Sequence, residues 1–152
     1  VYLYEESPQH VADLVINKPT RTKLQKIFQV KGFKTINISD LVYSGGPVNQ
    51  GNIIMMHTNE WKCKNTLPLA NGISITSDPQ MLKKMHEQDQ PQAWRVFSGL
   101  SIWSPGQLEG EINSKCWMTA IPTPELSLET PTTQIYEKAI EICSKQIIDK
   151  YI

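Results

Sequence analysis

The chain has 152 residues, 39% of them hydrophobic, and its 15 Lys plus Arg balance 15 Asp plus Glu. That length suits one domain able to bury a core without staples, and the neutral balance gives no overall pull towards nucleic acid or an acidic membrane. The apolar runs are too short to span a membrane and no charged-then-apolar leader opens the chain.

Cysteine and histidine usage narrows the class further. Cys63, Cys116 and Cys143 are odd in number and far apart, and His10, His57 and His86 are isolated, so neither a disulfide framework nor a zinc site is expected. The expectation is a cytoplasmic domain over residues 1–152 with no cofactor and no metal. The first residue is not methionine, in keeping with a start inside a longer reading frame or after processing.

Residues 1–4 are β-branched and aromatic and run into a polar turn at Glu5-Glu6-Ser7-Pro8; residues 11–17 read as the partner strand of a hairpin. Lys18-Pro19-Thr20 punctuates that strand. Thr20 or Thr22 then caps a short helix with Leu24, Ile27 and Phe28 on one face. Lys18, Arg21, Lys23, Lys26, Lys31 and Lys34 make this the most basic segment, a solvated face or a phosphate contact. Residues 41–44 enter Gly45-Gly46-Pro47, which is either a tight loop between sheet elements or a backbone cradle for an anion. Neither a helix start nor a lysine follows it, as a phosphate loop requires.

Residues 52–57 form a buried strand ending at His57, a hydrogen-bonded structural histidine or a ligand. Residues 58–68 read as a surface loop carrying Trp61, and residues 72–76 as a strand with Ser74 and Thr76 on a wetter face. Ser77-Asp78-Pro79-Gln80 starts a helix with Met81, Leu82 and Met85 inward. Residues 93–100 resume as a strand in which Gly99 marks a bulge or a close backbone contact.

Ser104-Pro105-Gly106-Gln107 reads as a capping box, with Ser104 as cap, Pro105 in the first helical position, and Leu108 and Ile112 facing inward. Its free amides could receive an anion, although Glu109 and Glu111 already gain from that end of the helix. Residues 116–121 look like a last strand with Cys116 as a core residue. Thr130-Pro131 opens a long helix bearing Ile135, Ala139, Ile142, Cys143 and Ile147, expected to pack along the sheet.

Taken in order, Leu14-Val15-Ile16-Asn17-Lys18-Pro19, Val42-Tyr43-Ser44-Gly45-Gly46-Pro47-Val48, Gly72-Ile73-Ser74-Ile75-Thr76, and Trp103 with Gly106-Gln107-Leu108-Glu109 through Trp117 resemble the AlgH family. This is a family of small bacterial proteins, many described only as candidate transcriptional regulators. The resemblance covers nearly the whole chain. It implies an α/β (α+β) fold: a largely antiparallel, bent or bifurcated sheet with a barrel-like part, surrounded by helices. The sequence departs from the family by lacking a segment ahead of the first strand, by carrying Asp13 where glycine is usual, and by extending over residues 144–152.

Function is then expected to be non-catalytic: a binding or regulatory module for a small molecule or protein partner. Gly45, Gly46, Pro47, His57, Trp103, Gly106, Gln107 and Glu109 are its candidate ligand-binding residues. A small enzyme using His57, Glu109 or Cys116 is one alternative. A DNA-binding regulator is another, which neither a helix-turn-helix signature nor net positive charge supports. No membrane contact is expected.

Overall fold

The computed structural model describes residues 1–34 and 37–151. Its centre is a ten-residue strand shared by three others. Strands β1 (Tyr2–Glu6) and β2 (Val11–Leu14) form the expected hairpin, with Tyr2 opposite Leu14 and Glu6 opposite Val11. β3 (Pro19–Lys23) pairs with β4 (Leu41–Ser44), and β5 (Val48–Thr58), β6 (Thr66–Pro68) and β7 (Ile73–Thr76) build one wing. β8 (Trp94–Trp103) joins everything.

Along one edge, β8 pairs antiparallel with β5, from His57 opposite Trp94 to Val48 opposite Leu100. Along the other edge, it pairs first in parallel with β4 (Tyr43 opposite Phe97, Ser44 opposite Ser98). It then pairs antiparallel with β2 (Asp13 opposite Ser101, Val11 opposite Trp103). The sheet therefore forks at residues 98–101 and curls into a half-barrel, as the family resemblance implies.

Gly45 sits in that fork. Its N–H donates to the Ser98 carbonyl at 3.0 Å and its carbonyl accepts the Val15 N–H at 2.8 Å, so one residue closes the ladder between both partners of β8. A Cβ on Gly45 would strike the Gly99 carbonyl and Leu14, and one on Gly46 would strike the Leu100 carbonyl group. Gly99 has φ +74° and packs against the Gly46 and Val48 carbonyls, opposite a bulge of β5 between Val48 and Ile53. The close backbone contact expected at Gly99 is thus present, and its partner is the Gly45-Gly46 turn.

The middle of the sheet, over β7 and the adjoining parts of β5 and β8, is buried on both faces, which explains the unbroken apolar runs there. Ile54, Met56, Ile73, Ile75 and Phe97 lie on one face under Leu126, Leu128 and Ile135. Met55 and Val96 lie on the other, under helices α1 (Leu24–Val30) and α2 (Gln80–His86), through Leu24, Phe28, Met81, Leu82 and Met85. The wetter face expected for β7 is absent: Ser74 and Thr76 are buried too. α4 (Ile135–Tyr151) packs Ile135, Ala139, Ile142 and Cys143 inward, whereas Ile147 is exposed. Ile152, the last residue of the tail, lies outside the described residues.

Several local expectations are corrected. Residues 19–23 are strand, because Thr20 Oγ1 donates to the Val42 carbonyl at 2.7 Å and holds them against β4; α1 starts without a side-chain cap, its first amide bonded to the Asp40 carbonyl. Trp61 is buried, its Nε1–H bonded to Asp89, and β6 lies inside the segment read as a loop. Asp78 does cap α2, accepting the Gln80 N–H at 2.9 Å. α3 (Gln107–Asn113) begins after Pro105, with Gly106 at φ +74°. Only half of the capping box forms, Gln107 Oε1 accepting the Ser104 N–H at 3.1 Å. Leu108 is buried but Ile112 is exposed. Residues 116–121 form no strand and Cys116 is exposed; a π-helical turn at Glu125–Glu129 follows instead.

The fork makes a paired prediction. Gly46→Ala should cost at least about 3 kcal/mol in urea denaturation, since its Cβ meets backbone that cannot yield. Gly110→Ala, inside α3 with nothing within 4 Å of the new Cβ, should gain roughly 0.5–1 kcal/mol. Equal, small effects at both positions would contradict the account of the crossing.

Candidate functional site

The end of β8 and the segment after it are tied together by side chains. Trp103 Nε1–H donates to Asp13 Oδ2 across the β2–β8 pair, and the Trp103 ring meets Trp117 edge-on, centroids 5.5 Å apart. Trp117 Nε1–H donates to Glu111 Oε2 at 2.8 Å, and Gln107 Nε2–H to Glu111 Oε1 at 3.3 Å. Because Gln107 also holds the Ser104 amide, two sets of hydrogen bonds joined by the edge-on ring contact connect α3 to Asp13 of the hairpin. Asp13 is fully buried and its Oδ1 has no partner among the described residues. Burial pushes its carboxyl up, opposed by hydrogen bonding to Trp103 and Ser101.

In front of this base opens a groove of about 420 Å³. Glu6, Ser7 and His10 from the β1–β2 turn form one wall, and Pro105, Gly106 and Glu109 form the other. Ser7 shapes its side: its Oγ accepts the His10 N–H at 3.1 Å, and its own N–H donates to the His10 carbonyl at 2.9 Å. His10 Nε2 lies 3.5 Å from Glu5. The groove therefore presents the Glu6 and Glu109 carboxylates around one imidazole.

Of the residues singled out in the sequence, Gly106 and Glu109 line this groove, while Trp103 and Gln107 support it from behind. Gly45 and Gly46 are buried in the fork, with backbone filling the space a ligand would need, and Pro47 is exposed beside them. His57 is elsewhere. It pairs with Trp94, at the opposite end of β8 from Trp103, and is fully buried edge-on to Trp61. A carbonyl only accepts, so His57 Nδ1–H donates to the Thr58 carbonyl at 2.8 Å and Nε2 accepts from Thr76 Oγ1 at 2.8 Å. Thr76 takes its own hydrogen bond from Thr66, at 2.7 Å, and Thr66 accepts the Cys63 N–H. Both ring nitrogens are used in holding β5, β6 and β7 together. Cys116 faces outward, its Sγ 4.0 Å from the Ser114 carbonyl.

Sequence reading missed the two most telling polar residues, Asp13 and Arg95. Each is a charged side chain inside an apolar strand, Val-Ala-Asp-Leu and Trp-Arg-Val-Phe, and that signal was available, because such residues are rarely fully buried without a specific partner. Among the described residues, no group of three or more His, Cys, Asp or Glu side chains is disposed to hold a metal ion. No described helix is long and apolar enough to cross a membrane.

The sequence profile of a family described as AlgH-like matches residues 1–147. A UPF0301 protein of Proteus mirabilis (strain HI4320) is 30% identical over 149 residues, covering 93% of this chain and 80% of its own length. One from Polaromonas sp. (strain JS666 / ATCC BAA-500) is 31% identical over 155 residues, covering 96% and 79%. Among solved structures, the solution structure of the AlgH protein from Pseudomonas aeruginosa has a TM-score of 0.78 at 24% identity, over 92% of this chain and 76% of that one. A crystal structure of a protein from Corynebacterium diphtheriae has a TM-score of 0.62 at 22% identity, over 81% and 65%. These two share the fold.

His57 gives a pH prediction. Burial holds its pKa below the ordinary histidine value, against smaller opposing effects of the Thr58 carbonyl and Glu60. The unfolded chain takes up this proton near pH ~6.5 while the folded ring stays neutral, so stability falls as pH drops through ~6.5 towards the lowered folded value. Urea denaturation between pH 7.5 and 5 should show that loss in the wild type and lack that component in His57→Gln. Parallel slopes in both proteins would refute it.

Proposed function

The chain belongs to the AlgH-like family, and we propose that it is a non-catalytic binding module whose site is the groove between the β1–β2 turn and the start of α3. The observation that carries this reading is the open groove between these two segments, behind which the Asp13–Trp103–Trp117–Glu111–Gln107 contacts link β2, the end of β8 and α3. Links of that kind lower the entropy lost on binding. Glu6 and Glu109 favour a ligand that presents an amine or guanidinium, either a small molecule or a basic side chain of a protein partner. Gly106, without a Cβ and open on its outer side, gives such a ligand access to the backbone.

Acid–base or nucleophilic catalysis has little support from the same geometry. His57 is sealed in the core, Cys116 has no base beside it, and Glu109 has neither as a hydrogen-bond partner. We also propose a cytoplasmic location, on the odd, dispersed cysteine set.

Thermal unfolding of the chain against agmatine, spermidine, arginine-rich peptides, nucleotides and short DNA duplexes tests the reading. A groove ligand at ~100 times its Kd should add roughly 2.7 kcal/mol, a rise of about 5–10 °C for a chain of this size. Glu109→Lys should abolish that rise without lowering the Tm of the free protein. Stabilisation by duplex DNA alone, weakening with salt and insensitive to Glu109→Lys, would overturn the groove in favour of phosphate contact by the basic segment from Lys18 to Lys34.

A further inference from the structure

Arg95 lies on β8, facing the π-helical turn, and is 8% exposed. Among the described residues its charge has no carboxylate within 4.0 Å; the ion pairs found there are His10–Glu5 and Lys84–Asp89. A buried cation is ordinarily paired, because removing it from water is costly and only a nearby opposite charge offsets that well. Burial accordingly pulls its pKa down.

What holds Arg95 is partial charge only. Its Nη1–H donates to the Ser127 carbonyl at 2.9 Å and its Nη2–H to the Thr130 carbonyl, where the π-helical turn ends. The Tyr43 ring lies 5.5 Å from Cζ, a cation–π contact. Two of the five guanidinium N–H groups are thus employed. Arg95 also lines a small polar pocket of about 190 Å³, walled by Asp40, Leu41, Tyr43, Trp94 and Leu128. We infer that this pocket is a binding site for a small oxyanion, a phosphate or a carboxylate, with Arg95 as its charged fork and Tyr43 and Trp94 as flat walls. A planar guanidinium held in place by two carbonyls matches such a group with little reorganisation.

Asp40 is the opposing charge at this pocket. Its side chain is exposed and makes no hydrogen bond among the described residues, while its carbonyl accepts the Leu24 N–H at 2.8 Å. It can therefore be neutralised without disturbing what holds α1. The site is distinct from the groove proposed above, and its ligand carries the opposite charge.

Two-dimensional amide NMR of the full chain, titrated with inorganic phosphate and separately with acetate against chloride at constant ionic strength, tests the inference. Saturable shifts are expected at Leu41, Tyr43, Trp94 and Leu128; the arm that gives them identifies the oxyanion. Asp40→Asn should bind about threefold tighter, the effect of removing one unit charge several ångströms away in a water-like dielectric. Arg95→Lys, which keeps the charge but loses the fork, should bind at least tenfold more weakly. Absence of saturable shifts at these residues in both arms, an affinity unchanged in Asp40→Asn, or shifts confined to residues 6–11 and 105–109 would overturn it.

Discussion

The backbone of Gly45 and Gly46 approaches that of Gly99 and Leu100 so closely that no side chain fits between them, and the fork of the sheet depends on that approach. β8 can serve β4 at Phe97–Ser98 and β2 at Ser101–Trp103 only if the chain leaving β4 slips through the gap between the two pairings. Gly45 fills the gap with hydrogen bonds to both sides, which keeps buried amides and carbonyls satisfied where two ladders would otherwise end raggedly. A cradle for an anion and a crossing of backbones need the same residue type. Here the space is taken by protein.

Around that crossing, burial on both faces sets the rest. Helices α1 and α2 cover one face while α4 and the π-helical turn cover the other, so over Ile54–His57 of β5 and Arg95–Phe97 of β8 successive residues go to opposite faces and all are buried. Polar groups caught inside must be satisfied in place. His57 is satisfied completely, by a directional run of hydrogen bonds from the Cys63 amide to the Thr58 carbonyl. Asp13 is satisfied on one oxygen, and Arg95 by two carbonyls and a ring. The three differ in how much bonding capacity remains, and that difference separates a structural residue from one able to receive something more.

The sequence made the hairpin, β4, the β5 core, β7, α2 and α4 legible, because each carries a periodicity or punctuation that acts locally. The motifs were sufficient to mark the AlgH resemblance and its bifurcated sheet. β3 was hidden because Pro19 and Thr20 look like helix punctuation and become strand only through the Val42 carbonyl. The apolar run at residues 116–121 read as strand, yet it pairs with no described strand; Trp117 instead turns back onto Trp103 and Glu111. Of the candidate site, Gly106 and Glu109 were found from the helix start. The groove's other wall was not, since nothing local says that residues 6–10 will face residues 105–109.

That pairing of distant segments governs how the chain reaches its fold. Asp13 and Trp103 are separated by 90 positions, and β2 finds its second neighbour only in β8. During synthesis the β1–β2 hairpin and β4 therefore emerge long before the strand that joins them, with one edge of each unsatisfied. Loop closure over such spans is entropically costly, and long-range pairing makes folding slow. Until residues 94–103 arrive, the strands made before them lack the partner that joins them, and this one ten-residue strand converts them into one sheet.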